Sequence, residues 1–118
     1  MRAAIRIGLL TLSLVGVLIP AVSVAGQNVL SWVDNASNEQ NFNIERKAEA
    51  CAGAAAFTPL ATVGLDIVTF TDTAVSEGVT YCYRVNSSNT AGASAFSNTA
   101  ARTVPFSVPA SPSALTVN

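Results

Sequence analysis

The stretch Thr80-Tyr-Cys-Tyr-Arg-Val85 alternates without a break: Tyr81, Tyr83 and Val85 fall on one side, Cys82, Arg84 and Asn86 on the other. A period of two belongs to a pleated strand with one apolar face, and such a face has to be buried against a second layer. After residue 26 no segment carries apolar residues at i, i+3, i+4 and i+7 with caps at its ends, so helices are not expected. Short runs rich in Val, Thr, Ile, Phe and Tyr recur instead, separated by clusters of Gly, Asn, Ser and Asp. That spacing predicts an all-β sandwich or barrel.

Further strands are predicted over Asn28–Val33, Phe42–Lys47, Thr58–Val63, Val68–Asp72 and from about Ser94 to Val104, where Pro105 stops the last one. Leu30 and Trp32 share a face with Asn28; Phe42 and Ile44 point inward while Asn43, Glu45 and Lys47 point out. Phe70 is the inward residue of its strand. Residues 48–56, AEACAGAAA, are small and without pattern and read as a loop.

The first 25 residues have a different composition. MRAAIR carries Arg2 and Arg6 and no acid, an uncharged apolar run follows to Pro20, and Ser23 and Ala25 supply small residues at the −3 and −1 positions. Basic start, apolar centre and small-residue exit together predict a secretory signal peptide over 1–25, cleaved after Ala25. The alternative is an uncleaved membrane anchor, since the run approaches the roughly 20 residues needed to span a bilayer. Cleavage of 25 from 118 residues leaves 93, room for one domain.

Residues 26–118 hold four basic side chains (Arg46, Lys47, Arg84, Arg102) against seven acids, a net charge of −3. An acidic surface without basic clusters provides no footprint for nucleic acid, and there is no basic amphipathic helix for a membrane surface. The chain has no His, which removes the commonest general base and metal ligand. Gly64, Gly78 and Gly92 stand singly in turns and build no phosphate loop. Asp34, Asn35, Ser37, Asn38 and Glu39 bear oxygens, but their spacing fits no known calcium loop and a hydrogen-bonded turn accounts for them. Asp66 and Asp72 read as solvated turn residues. Asn35-Ala-Ser37 and Asn86-Ser-Ser88 match the glycan acceptor pattern, which is meaningful only in a host with the machinery. No enzyme activity, metal or cofactor is expected.

Taken together, the motifs resemble those of the fibronectin type III domain, in the form found in secreted and surface proteins of bacteria. They are Leu30-Ser-Trp32, the Asp34-Asn35…Asn38-Glu39 loop, Phe42-Asn-Ile-Glu-Arg46, Ala61-Thr-Val-Gly64, Thr69-Phe-Thr-Asp-Thr73, Val75…Gly78…Tyr81-Cys-Tyr-Arg-Val85, and Asn89-Thr-Ala-Gly-Ala-Ser-Ala-Phe-Ser-Asn98. The resemblance covers residues 28 to about 104 and implies an immunoglobulin-like β-sandwich. In that fold Trp32 fills the space between the sheets, and Tyr81 is a tyrosine corner whose hydroxyl bonds backbone just upstream, with Val75 beside it. Cys51 follows strand C and Cys82 starts strand F on its outward face. Those strands run antiparallel as neighbours, so a Cys51–Cys82 disulfide is expected in an exported chain.

Two features depart from the family. Its first strand, A, has no counterpart ahead of Asn28, and residues 108–118 look like a linker followed by the strand A of a further domain. Either the chain is the front piece of a longer protein, or Ala114-Leu-Thr-Val117 folds back to supply the missing strand. The domain itself is placed at 26–107. The resemblance implies a secreted or surface-exposed, non-enzymatic binding or spacer module for an unidentified protein or carbohydrate. Its loops would face the partner through Asp34, Asn35, Asn38 and Glu39 on one side and Asn86 and Asn89 on the other. The alternatives are an accessory front domain of a longer secreted hydrolase or adhesin, and a free-standing small protein completed by its own tail.

Overall fold

The computed structural model describes residues 26–118; the predicted signal segment lies outside them. Seven strands follow one another: β1 (Asn28–Ser31), β2 (Asn41–Lys47), β3 (Thr58–Gly64), β4 (Thr69–Asp72), β5 (Thr80–Asn89), β6 (Gly92–Ala93) and β7 (Ala100–Thr103). No helix occurs among the described residues, so none is long and apolar enough to cross a membrane. β1 and β4 form one small antiparallel sheet. The other sheet runs β3-β2-β5-β6, with β7 also on β5. The all-β, two-sheet sandwich expected from the sequence is the architecture found.

Pleating puts alternate residues of β2 and β5 in the core. Ile44 faces Val85 and Arg46 faces Tyr83 in register on the inner side, with Glu45 facing Arg84 and Asn43 facing Asn86 outside. Phe42, Ile44, Tyr81, Tyr83, Val85 and Val104 form the buried cluster, and Leu30, Trp32, Phe70 and Val75 pack against it from β1, β4 and the turn before β5. Trp32 and Phe42 bring their rings to 5.6 Å across the sandwich, a tilted aromatic contact. Ser76 donates its backbone N–H to the Tyr81 hydroxyl at 3.0 Å, so the ring lies inside while its oxygen ties the preceding turn.

Three elements differ from the sequence expectation. The strand expected over 94–104 is broken: only β6 and β7 pair, and residues 94–99 run without regular ladder. Two serines are the physical reason. The Ser94 and Ser97 hydroxyls accept the N–H groups of Ser87 and Val85, at 3.0 and 3.1 Å, in place of backbone carbonyls. Second, β5 continues to Asn89, because Ser87 and Ser88 keep pairing with Phe42 and Asn41. The loop expected to present Asn86 and Asn89 shrinks to a turn at its tip, and Asn86 becomes a strand residue.

The third difference is on the outer face. Lys47 and Cys82, both assigned to it by parity, are 6% and 0% exposed. The segment after β2 folds over them. Lys47 Nζ donates to the carbonyls of Cys51 at 2.9 Å and Gly53 at 2.7 Å, and Glu49 accepts the Ala55 N–H at 2.7 Å. A Cβ at position 53 would meet only the Glu49 carboxylate, the far end of a flexible side chain that has to swing aside to admit it. The Cys51–Cys82 disulfide, expected from the sequence, closes it.

Ala114–Val117 forms no strand, and Leu115 and Val117 are 92% and 91% exposed. Among the described residues, then, the tail does not fill the place beside β1.

The disulfide closes a loop of sequence separation 31, which in the chain-entropy model is worth roughly 3–4 kcal/mol. Replacing Cys51 and Cys82 together by Ala is expected to lower the unfolding free energy by about that amount. Urea titration of the oxidised parent and the variant checks it, and a loss under about 1 kcal/mol would show the loop to be held by Lys47 and Glu49 instead.

Candidate functional site

The polar residues of this chain divide into those that build the fold and those that remain on offer. Asp72 belongs to the first group, which corrects its reading as a solvated turn residue: it is 2% exposed. It ends β4 facing β2 and β5 across the sandwich. One carboxylate oxygen accepts from the Tyr83 hydroxyl and from Arg46, each at 2.8 Å, and the other accepts the Ala74 N–H at 3.1 Å. Asn28, at the start of β1, donates to the Tyr83 hydroxyl at 2.8 Å and accepts from Arg102 at 2.8 Å. The Arg46 guanidinium also lies 5.0 Å from the centre of the Tyr81 ring and donates to the Ala74 carbonyl at 2.9 Å. Every buried side-chain polar atom of this cluster has a partner, the condition under which burial of charge is tolerated. This cluster is a structural joint between the sheets.

Burial pushes the ionisation of Tyr83 far above the ordinary tyrosine range, and the hydrogen bond and charge of Asp72 reinforce the shift. The Asn28 amide and the Arg46 charge oppose it.

A second group lies on the outer face of β5. Arg84 donates to one Glu45 oxygen through Nε and Nη2, at 2.9 and 2.7 Å. Its guanidinium is stacked between Phe57 and Phe96, at 4.2 and 3.8 Å from the ring centres. Phe96 presents one face to this cation, so it is only partly available as an aromatic platform.

The loop residues form the third group, at the pole where β1 ends. Asp34 Oδ1 accepts the Ala36 N–H at 2.9 Å, an Asx turn. Asn89 makes the equivalent turn to Ala91 at 2.8 Å and also donates to the Asn38 carbonyl at 3.1 Å. The loop after β1 and the β5–β6 turn are thereby joined into one surface. Asn35 lies over the groove between β1 and residues 97–102. Asn86 stands apart from this surface: it accepts from Asn43 at 3.0 Å and donates to the Ser94 carbonyl at 3.3 Å, consumed in the sheet.

Asp66, read from the sequence as a solvated turn residue, stands here beside Asp34 and Glu39, with carboxylate oxygens all within 4.8 Å. Glu39, expected to face a partner, is instead buried and accepts the Asp66 N–H at 3.3 Å, so it braces the two connections. Asp66 has φ 62, the left-handed region, and so turns the β3–β4 connection back toward the other loop. The gathering joins two separate connections, which is why no local spacing reveals it.

No family model matches the chain, and no curated protein does. Among solved structures, a chain described as the twitchin kinase region from C. elegans, which contains Fn3 and Ig domains, resembles it with a TM-score of 0.56 at 25% identity. The match covers 70% of this chain and 14% of that one. The likeness agrees with the immunoglobulin/fibronectin III-like sandwich built up above.

Asp72→Ala removes the shared acceptor and strands Arg46 and Tyr83. It is expected to cost about 3–5 kcal/mol, the range for breaking a buried ion pair on one side. Tyr83→Phe is expected to cost about 1–3 kcal/mol through the unpaired groups it leaves. The pH dependence has a definite sign. Because the folded pKa is raised, the Tyr83 contribution is complete below the unfolded value of about 10 and is lost as pH rises above it. Denaturant melts between neutral and strongly alkaline pH should show this decline, and Tyr83→Phe should flatten it; an equal decline in both would assign it elsewhere.

Proposed function

We propose that this chain is an exported, non-enzymatic module that binds a protein or carbohydrate partner through the pole carrying Asp34, Asn35 and Asn38 with Asn89, or spaces domains in a longer protein. The observation that carries the reading is the Asn89–Asn38 bond with its two flanking Asx turns, which holds two loops in one preformed surface before any partner arrives. Binding surfaces of this type gain affinity because little ordering entropy is left to lose. Elsewhere the charged side chains of β2 and β5 are engaged: Arg46 with Asp72, Lys47 with Glu49, Arg84 with Glu45. A chain without His whose strand charges are absorbed in this way has little to offer as acid, base or nucleophile. The match over 14% of a multidomain chain fits a module used alongside others. Export is supported by the disulfide, a bond that persists in oxidising compartments.

Two measurements test this. The intact mass of the native protein, before and after reduction and thiol alkylation, is expected to lack residues 1–25 and to gain alkyl groups only after reduction. A retained leader or free thiols would refute export with cleavage. Glycan and extracellular-protein arrays probed with the parent and with an Asn35→Ala/Asn38→Ala/Asn89→Ala variant should show ligands retained by the parent alone. Equal retention by a variant with an unchanged melting temperature would remove the pole as the binding surface.

A further inference from the structure

Among the described residues β1 has one partner strand, β4, and its other edge is open. The Trp32 N–H donates to the Val68 carbonyl at 3.0 Å, which continues the β1–β4 register and marks the even-numbered residues as those bonding to β4. By antiparallel alternation the N–H and C=O groups of Val29, Ser31 and Val33 therefore point away from β4, to the free edge. The one such carbonyl with a described side-chain partner is that of Gln27, which accepts from Arg102 at 2.7 Å. This places β7 across from the edge, and between them runs a groove of about 740 Å³. Ala100 and Ala101 leave its far wall low. Trp32 lines the groove, and its indole N–H is buried with no acceptor among the described residues. Unpaired strand groups beside an apolar floor and a buried donor are the elements of a strand-accepting site.

We propose that this groove accepts the segment Ala114–Val117 of a second copy of the chain, added as a strand beside β1. Leu115 and Val117 alternate, are exposed, and present the two-residue period that a strand entering between the sheets needs, with their side chains toward Trp32. No charge occurs between residues 103 and 118, so entry carries no ionic desolvation cost. A strand carbonyl over the groove floor supplies the acceptor that Trp32 lacks. Attachment of the tail explains why the donor is a neighbour. Val104 is fixed by its N–H to Val79 and by its carbonyl from Gly78, and the Phe106 ring sits over Gly78. Between there and Ala114 stand Pro105, Pro109 and Pro112. A proline-rich spacer of residues 105–113 extends about 3.1 Å per residue, roughly 28 Å in all, about twice the length of four-residue β1. A strut of that length and stiffness carries Leu115 and Val117 past their own groove. The contact is heterologous, tail to groove, so it closes as a reciprocal pair or continues as a chain of copies.

Complementation between two variants tests it. Deleting residues 114–118 removes the donor; Ser31→Pro removes an edge N–H that β4 does not use. Each variant alone is expected to be monomeric in sedimentation velocity and the parent to self-associate with rising concentration. An equimolar mixture of the two should give one-to-one heterodimers and nothing larger, since one groove and one tail remain. Synthetic peptide 109–118 in large excess should dissolve the parent assembly and change Trp32 fluorescence in the tail-deleted chain, a readout that stands even where Ser31→Pro fails to fold. A parent that stays monomeric at all concentrations overturns the proposal. So does self-association that survives both variants. A monomeric parent whose melting temperature falls on tail deletion overturns it in favour of the chain's own tail in its own groove.

Discussion

The sandwich depends on a buried carboxylate. Asp72 sits at the end of a four-residue strand in a two-stranded sheet, and such a sheet has little intrinsic stability. What fastens it to the larger sheet is the pair of bonds from Tyr83 and Arg46 to one side chain, with Asn28 and Arg102 extending the chain of contacts along β1. Burying an ion pair is expensive, and a hydrophobic substitute is often as stable. The polar version confers direction instead. Only one register of β1 and β4 over β5 satisfies Asn28 and Asp72 at once, because a slip of one residue would turn both out of the core.

The same region shows what sequence reasoning reaches and what it misses. The Thr80–Val85 alternation revealed β5 and the sandwich because apolar periodicity is set by local geometry. The Cys51–Cys82 disulfide was expected because the fibronectin type III resemblance implies that the end of β2 lies beside the start of β5. Asp72 was misread because a terminal Asp after a Thr-rich run has the composition of a solvated turn; its partners on the facing sheet lie 11 and 26 residues away and leave no local trace. Lys47 and Cys82 were misread for a related reason. Parity gives the face of a sheet correctly but says nothing about whether a loop later covers that face, and AEACAGAAA has no apolar pattern to announce that it packs.

Asn86 and Asn89 illustrate the limit at the candidate site. Both belong to a stretch of Asn and Ser that reads as turn. Asn86 nonetheless lies in a strand because Ser87 and Ser88 find backbone partners in β2, whereas Asn89 reaches the turn and spans to Asn38. Competing side-chain bonds decide such cases, and the serines at 94 and 97 decide the opposite way, substituting hydroxyls for carbonyls and ending the regular ladder.

A joint of polar bonds between the sheets has a consequence for the open edge. In a sandwich held mainly by apolar contact between the sheets, a missing edge strand would expose the interior that holds it together. Here Asp72, Tyr83, Arg46 and Asn28 fix the sheets from the base of β1, and the disulfide fixes the far side of β5. The span between Asn28 and Trp32 is thus anchored at one end by Arg102 and at the other by the Trp32–Val68 bond, with its outer edge unclaimed among the described residues. Stability and accessibility at β1 are compatible because different groups carry them: the backbone N–H and C=O groups of the even residues bond β4, and those of the odd residues point to the free edge. An edge of this kind can gain a strand without giving up a contact that the fold already uses.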